Sequence, residues 1–309
     1  MATIVEMINP LTGLPEQVDK LDHTAQEIDD AVGLAPQLSN PNLLDNWYFG
    51  NPVNQRGQTS WTNPSDWQYA IDRWQITPSS VIALVDGGIT ITADFHQGLE
   101  KDRLEFGRTY TFSVLSSDGR LGKHTFVLTS DTDINIGFGF GYFVCFLGGD
   151  NVWFRIYGDG STYKAAKLEL GSQQTLAHQD ADGNWVLNEI PDYGEQLARC
   201  QRYALALSKQ SGHSVYGSGM INAGQNARIV VPLPVTMRTA PTVTKLGDLE
   251  ILANGTTYVV TSVSVESLSP TAVCIVANST SLSTKQAATP ALLRSSGGGK
   301  GELFLSADL

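Results

Sequence analysis

Six tryptophans stand at positions 47, 61, 67, 74, 153 and 185, and four of them fall between 47 and 74. Indole faces hold the C–H faces of sugars, while neighbouring amides and charges orient the hydroxyls. "SWTNPSDW" (60–67) sets Trp61 and Trp67 among loop-forming residues, which makes these two the candidate glycan contacts. Their competing role is to anchor that loop. Trp74, between alternating apolar residues in "YAIDRWQI", belongs in a core. "NLLDNWYFGNPVNQRG" (42–57) poses the same choice between sugar platform and core. It follows a linker and opens the strand region. Leu43, Leu44, Trp47 and Phe49 are therefore expected in the core, with Asn54, Gln55 and Arg56 tying down the next turn.

Other chemistry is weakly signalled. His23, His96, His124, His178 and His213 form no HxH, HxxxH or HExxH spacing, so neither metal nor cofactor is expected. "DADGN" places Asp180, Asp182 and Asn184 like the front of a calcium loop. Trp185 then stands where Gly is needed and Pro191 where the bidentate Glu belongs, which favours a plain turn. "GFGFG" (137–141) and "SSGGGKG" (295–301) lack the GK[ST] ending of a phosphate loop. Read as a strand, the first sends Phe138, Phe140 and Tyr142 to one face and its glycines to the other, where a neighbour or ligand can approach closely. No GxSxG occurs, and no catalytic residue is assigned. The expectation is a protein that is not an enzyme.

The elements that would position these residues are mostly strands. Charged residues make up only 17% of the 309, and the net charge of −11 with no basic stripe argues against a phosphate-neutralising nucleic-acid binder. Cys145, Cys200 and Cys274 are far apart and odd in number, which argues for a reducing compartment. "MATIVEMINPLTGLPEQ" lacks the basic and apolar regions of a signal peptide, and no run is long enough to insert in a membrane. Release from a cell by a route other than export is the expectation.

Leu14, Val18, Leu21, Ala25, Ile28 and Val32 step by 4, 3, 4, 3, 4, the seam of a coiled coil, with Pro15 suited to the first helical turn. The alternative is a helix docked on its own domain. A Pro/Asn linker ends this segment. Strands are then expected over 81–95, 107–130, 134–148, 152–158 and 163–171, with turns at "DGG" and "SSDG". This spacing indicates a β-sandwich or jelly roll. "YGEQLARCQRYALALSK" (193–209) reads as a helix, and strands return from 213.

"NLLDNWYFGNPVNQRG", "YAIDRW", "GRTYTFSVL", "KLELGSQQTLA" and "EQLARCQRY", with the later "VTMRTAPTV" and "LSADL", together resemble bacteriophage and prophage appendage proteins that carry a carbohydrate-binding-module-like jelly roll. The resemblance covers about residues 42–309. It implies a mainly β fold with an N-terminal particle-attachment segment and short coiled coil at 1–40. A jelly roll at 41–176, a linker and helix at 177–210 and a C-terminal β-domain at 211–309 would follow. It further implies a homotrimeric virion fibre, folded in the host cytoplasm and released by lysis. Its partners would be other virion proteins, through the N-terminal segment, and host-surface polysaccharide. A tail fibre is favoured over a head fibre or decoration protein, and a particle-bound glycan-degrading enzyme is the remote alternative. The jelly roll carries no transferable sugar site, because contacts sit in variable loops.

Ile28→Asp puts a charge into the seam and is expected to weaken self-association in light scattering. Unchanged association would assign the segment to a docked helix.

Overall fold

The computed structural model describes residues 4–8, 15–19, 39–208, 212–222, 224–282, 287–298 and 301–309. The protein is mainly β, built from several antiparallel sheets and, among the described residues, one α-helix. It divides into two units, Met1–Ser39 and Asn40–Leu309. In the first, β1 (Ile4–Ile8) pairs with β2 (Pro15–Asp19), and Val5 stands opposite Val18. Of the expected seam, Val18 therefore lies on extended backbone. Leu14, Leu21, Ala25, Ile28 and Val32 lie outside the described residues.

The second unit holds two apolar cores. Around the first, the strands are β3 (Ser60–Thr62), β4 (Gln68–Tyr69), β5 (Gln75–Ile76), β6 (Val81–Val85), β7 (Gly88–Glu100), β8 (Thr109–Ser116), β9 (Leu121–Val127), β10 (Asp133–Gly137), β11 (Gly141–Gly148) and β12 (Asn151–Leu170). The main path runs β10-β11-β12-β7-β5-β4, and β3-β6 and β9-β8 branch from the same two long strands. Halfway along, β7 changes partner from β6 to β5, and there Ala93 adopts φ 66° opposite Gly158 of β12. A Cβ on Gly158 would run into the Ile91 carbonyl, so glycine is required at that crossing. β12 likewise serves β11 with its first half and β8 with its second. It is one strand of 20 residues where two were expected. The reverse correction applies at 134–148. Phe138–Phe140 is a tight turn, with Gly139 at φ 91°, so the alternation through "GFGFG" is broken into a hairpin.

β13 (Ala177–Gln179) and β14 (Trp185–Leu187) form a hairpin around the "DADG" turn. Asp180 Oδ1 accepts the backbone N–H groups of Asp182 and Asn184 at 3.0 and 2.8 Å. The helix Tyr193–Gln201 follows. The Asp192 carboxylate caps it by accepting the Glu195 N–H at 2.9 Å. The helix stops eight residues before the expected end. "ALALS" alternates with period 2, and β15 (Ala204–Ser208) finds a partner in β24 (Gly301–Ser306), where Leu205 faces Leu305.

The second core is enclosed by β15-β24-β18 (Thr242–Gly247) and by a seven-stranded sheet. Its order is β20 (Thr256–Val259), β19 (Leu249–Ala253), β23 (Pro290–Ser295), β16 (Val215–Ile221), β17 (Asn226–Pro232), β22 (Ala272–Asn278) and β21 (Ser262–Ser269).

A buried ionic hub joins the pieces of the first body to the helix. The Asp45 carboxylate takes Arg73 Nε at 3.1 Å, Arg103 Nη1 at 3.1 Å and Arg199 Nε at 2.8 Å. Arg73 is itself buried, with its guanidinium 3.5 Å from the centroid of the Tyr203 ring, and it donates to the Gly98 carbonyl at 2.7 Å. Tyr203 in turn donates to Glu100 at 2.8 Å. Burial alone would push the Asp45 carboxyl up. Arg73, Arg103 and Arg199 together outweigh it and hold the group below the usual carboxylate range.

Removing the anion from such a cluster leaves a buried cation unpaired, so Asp45→Ala is expected to destabilise the protein by about 3–5 kcal/mol in urea unfolding. Asp45→Asn should fall well short of recovering it. The exposed Arg108–Glu105 pair is the control, and Glu105→Gln should leave the midpoint unmoved. Equal midpoints for all three variants would dismiss the hub.

Candidate functional site

Strands with period-2 alternation put one set of side chains into the core and the other on the opposite face of the sheet. On β12, Val152, Phe154 and Ile156 are buried in the core, so Trp153, Arg155 and Tyr157 share the other face. Register then assembles three rows across the sheet. One is Gly137–Tyr142–Tyr157–Asp94, the next Asn135–Val144–Arg155–His96–Gln75, the third Asp133–Phe146–Trp153–Gly98. The face is an aromatic floor with a polar centre.

Tyr142 and Tyr157 are 51% and 44% exposed, with ring centroids 6.2 Å apart and planes at 78°. Shallow depressions lie beside this pair. One of about 240 Å³ is lined by Asn135, Tyr142, Val144, Arg155 and Tyr157. The other, about 290 Å³, is lined by both tyrosines with Gly137, Gly139, Gly141, Gly158 and Asp159. The glycines keep this floor low, and the close neighbour expected of "GFGFG" stands at Gly141, where a Cβ would meet the Tyr163 hydroxyl at 2.6 Å.

Arg155 Nη1 lies 2.8 Å from Asp94 Oδ1, and Asp94 Oδ2 accepts from Thr77 Oγ1 at 3.0 Å. His96 is buried beside them. Its ring centroid is 4.9 Å from that of Trp67 and 5.4 Å from that of Trp153, and its Nε2 is 3.3 Å from Gln75 Oε1. Gly98 makes room for Trp153, since a Cβ there would meet the indole at 3.0 Å. Burial, and secondarily the Arg155 charge, hold the His96 pKa down to about 3, so the ring is neutral. His96 Nδ1 and Arg155 Nε are buried and meet no partner among the described residues. Buried polar atoms are normally paired, so two orphans on neighbouring residues mark unspent polar capacity.

The two tryptophans singled out from sequence part company here. Trp67 is 55% exposed and caps the His96 end of the face. Trp61 is corrected. It lies on β3 opposite Ile82 and is 3% exposed, because strand alternation turns it into the core while Ser60 and Thr62 face out. Trp74 is in the core as expected, stacked on Phe95 at 4.7 Å. Sequence reasoning noted Tyr142 and Trp153 but gave no binding role to them or to Arg155 and Tyr157. The alternation in "VWFRIYG" carried the signal, but only the pairing with β7 and β11 puts these residues beside His96 and Asp94. Among the described residues no three His, Cys, Asp or Glu side chains group as metal ligands.

A neutral, buried His96 has a folded pKa below its unfolded value. Its stabilising contribution is complete above about pH 6.5 and is lost as pH falls from there toward about 3. Asp72 works in the opposite sense, since burial raises its pKa to about 6, and it gains stability as pH falls through that value. Comparing wild type with His96→Gln cancels Asp72. The wild type is expected to lose ground to the variant between pH 6.5 and 4, by at most about 1.4 kcal/mol per pH unit in chemical denaturation. Parallel stability curves over that range would refute a neutral buried ring.

No protein-family model, no curated protein and no solved structure matches the chain.

Proposed function

We propose that this chain is a structural, non-catalytic virion appendage protein of a bacteriophage, a fibre that projects as a homotrimer and touches host-surface glycan. In this reading the first β-body is a jelly roll of the carbohydrate-binding-module kind and the second a smaller β-sandwich. The N-terminal segment attaches to other virion proteins, and a tail fibre is favoured over a head fibre. The motifs quoted above support the class of protein.

The sheet face carries the adhesive part of the reading. Exposed Tyr142, Tyr157 and Trp67 and half-buried Trp153 surround the Arg155–Asp94 pair. Exposed aromatic rings suit the C–H faces of successive sugar rings, and a charged pair whose Arg155 shares a depression with Asn135 suits their hydroxyls. Shallow, open depressions fit the side of a polysaccharide better than a small enclosed molecule.

A glycan array probed with the full chain tests this. Binding to host polysaccharide is expected, and Tyr157→Ala is expected to weaken it at least about tenfold, as for a central aromatic contact. A blank array, or binding indifferent to both Tyr157→Ala and Trp67→Ala, would sink the adhesive role. Release of reducing ends from host capsule would replace it with an enzyme.

A further inference from the structure

The seven-stranded sheet has one face in the second core, where Ile229, Ile251, Ile275 and Leu293 are fully buried. Its other face is open. Register lines up Leu252–Leu292–Ser218–Val230–Cys274 across five strands, and Pro290–Met220–Arg228–Val276 across four. Val230 and Met220 are 51% and 52% exposed, and Val215 and Val259 more so. Apolar side chains thus run across the middle of the sheet without a cover among the described residues.

The charges on this face are balanced. Arg294 pairs with Glu250 at 3.2 Å on one side of the central row, and Arg228 with Glu266 at 2.6 Å on the other. Two cations and two anions give a neutral face on a chain of net charge −11. Copies of so acidic a chain repel, and a neutral face is where they can meet without that cost. Its size also fits. Seven strands about 4.8 Å apart, averaging roughly six residues, cover roughly 700 Å². One partner buries about 800 Å² in a standard interface.

We infer that the open face of the seven-stranded sheet is a self-association surface, occupied by the same face of other copies of this chain. The inference rests on the homotrimer reading and assigns it a place. The paired Arg–Glu groups rim the contact, and the row from Leu252 to Cys274 forms its dry centre.

The cysteines supply the readout. Cys145 and Cys200 are fully buried, whereas Cys274 stands half-exposed in the central row. The full chain, wild type and Val230→Glu, is followed by light scattering and by maleimide labelling of Cys274 under native conditions, with circular dichroism confirming the fold. An oligomeric wild type with Cys274 protected, and labelling at least about tenfold faster in Val230→Glu, is the expected result. An oligomeric wild type whose Cys274 labels at the rate of the variant overturns the face while leaving the oligomer standing. A wild type with the mass of one chain overturns both.

Discussion

A carboxylate removed from water must be compensated on the spot, and Asp45 is compensated by three arginines from three distant parts of the chain. Arg73 follows β4, Arg103 closes the short 3-10 turn after β7, and Arg199 sits in the last turn of the helix. An isolated buried ion costs several kcal/mol, so the buried Arg73 depends on this anion most, while Arg103 and Arg199 are partly exposed. Arg73 accepts a left-handed backbone, φ 72°, to reach it. The cluster therefore sets position more than it adds stability. It specifies where the opening segment, the edge of the sheet and the helix meet.

The opening segment also joins the two bodies. The backbone of 43–49 runs beside the second half of β12, with Leu43 N–H to the Leu168 carbonyl at 2.9 Å and Phe49 N–H to the Lys164 carbonyl at 2.8 Å. Gln55 donates to the Ala204 carbonyl at 2.8 Å, and Arg56 reaches Asp308 at 2.6 Å while lying between the Tyr69 and Phe304 rings. Gln55 and Arg56 thus link the first body to the second, where sequence reasoning expected them to tie down a local turn. With these polar links at the junction, each body keeps most of one sheet face clear of it, the first touching the second where Gln75 Nε2 donates to the Leu309 carbonyl at 3.1 Å. On the first body that face is aromatic and polar, suited to a hydroxyl-rich ligand. On the second it is apolar and charge-balanced, suited to another protein surface.

Three of the motifs behind the resemblance supply the hub and its supports, and a fourth supplies a separate buried polar group. "NLLDN" supplies Asp45 and Asn46, "IDRW" supplies Arg73 and the stacked Trp74, and "EQLARCQRY" supplies Gln196, Arg199 and Tyr203. "KLELG" supplies Lys167, buried with its ammonium 2.9 Å from Thr175 Oγ1, and Glu169, which accepts the Thr175 N–H at 2.6 Å. Polar residues inside apolar strings are conspicuous in sequence because they are costly to bury. Their partners were not legible, since the hub spans 154 residues between Asp45 and Arg199.

What the sequence determined by itself was local. Alternation and turn chemistry specified a mainly β chain, the "DGG", "SSDG" and "DADG" turns, and a helix beginning at Tyr193, because each depends on neighbours a few residues apart. The tertiary structure decided whatever depends on pairing across the chain. It merged two expected strands into β12, folded "GFGFG" into a hairpin, ended the helix where β15 meets β24, turned Trp61 inward and gathered Tyr142, Trp153, Arg155 and Tyr157 on one sheet face with His96. A strand's period says that its residues alternate. Which face is buried, and which side chains share the open one, is set by register between strands far apart in sequence.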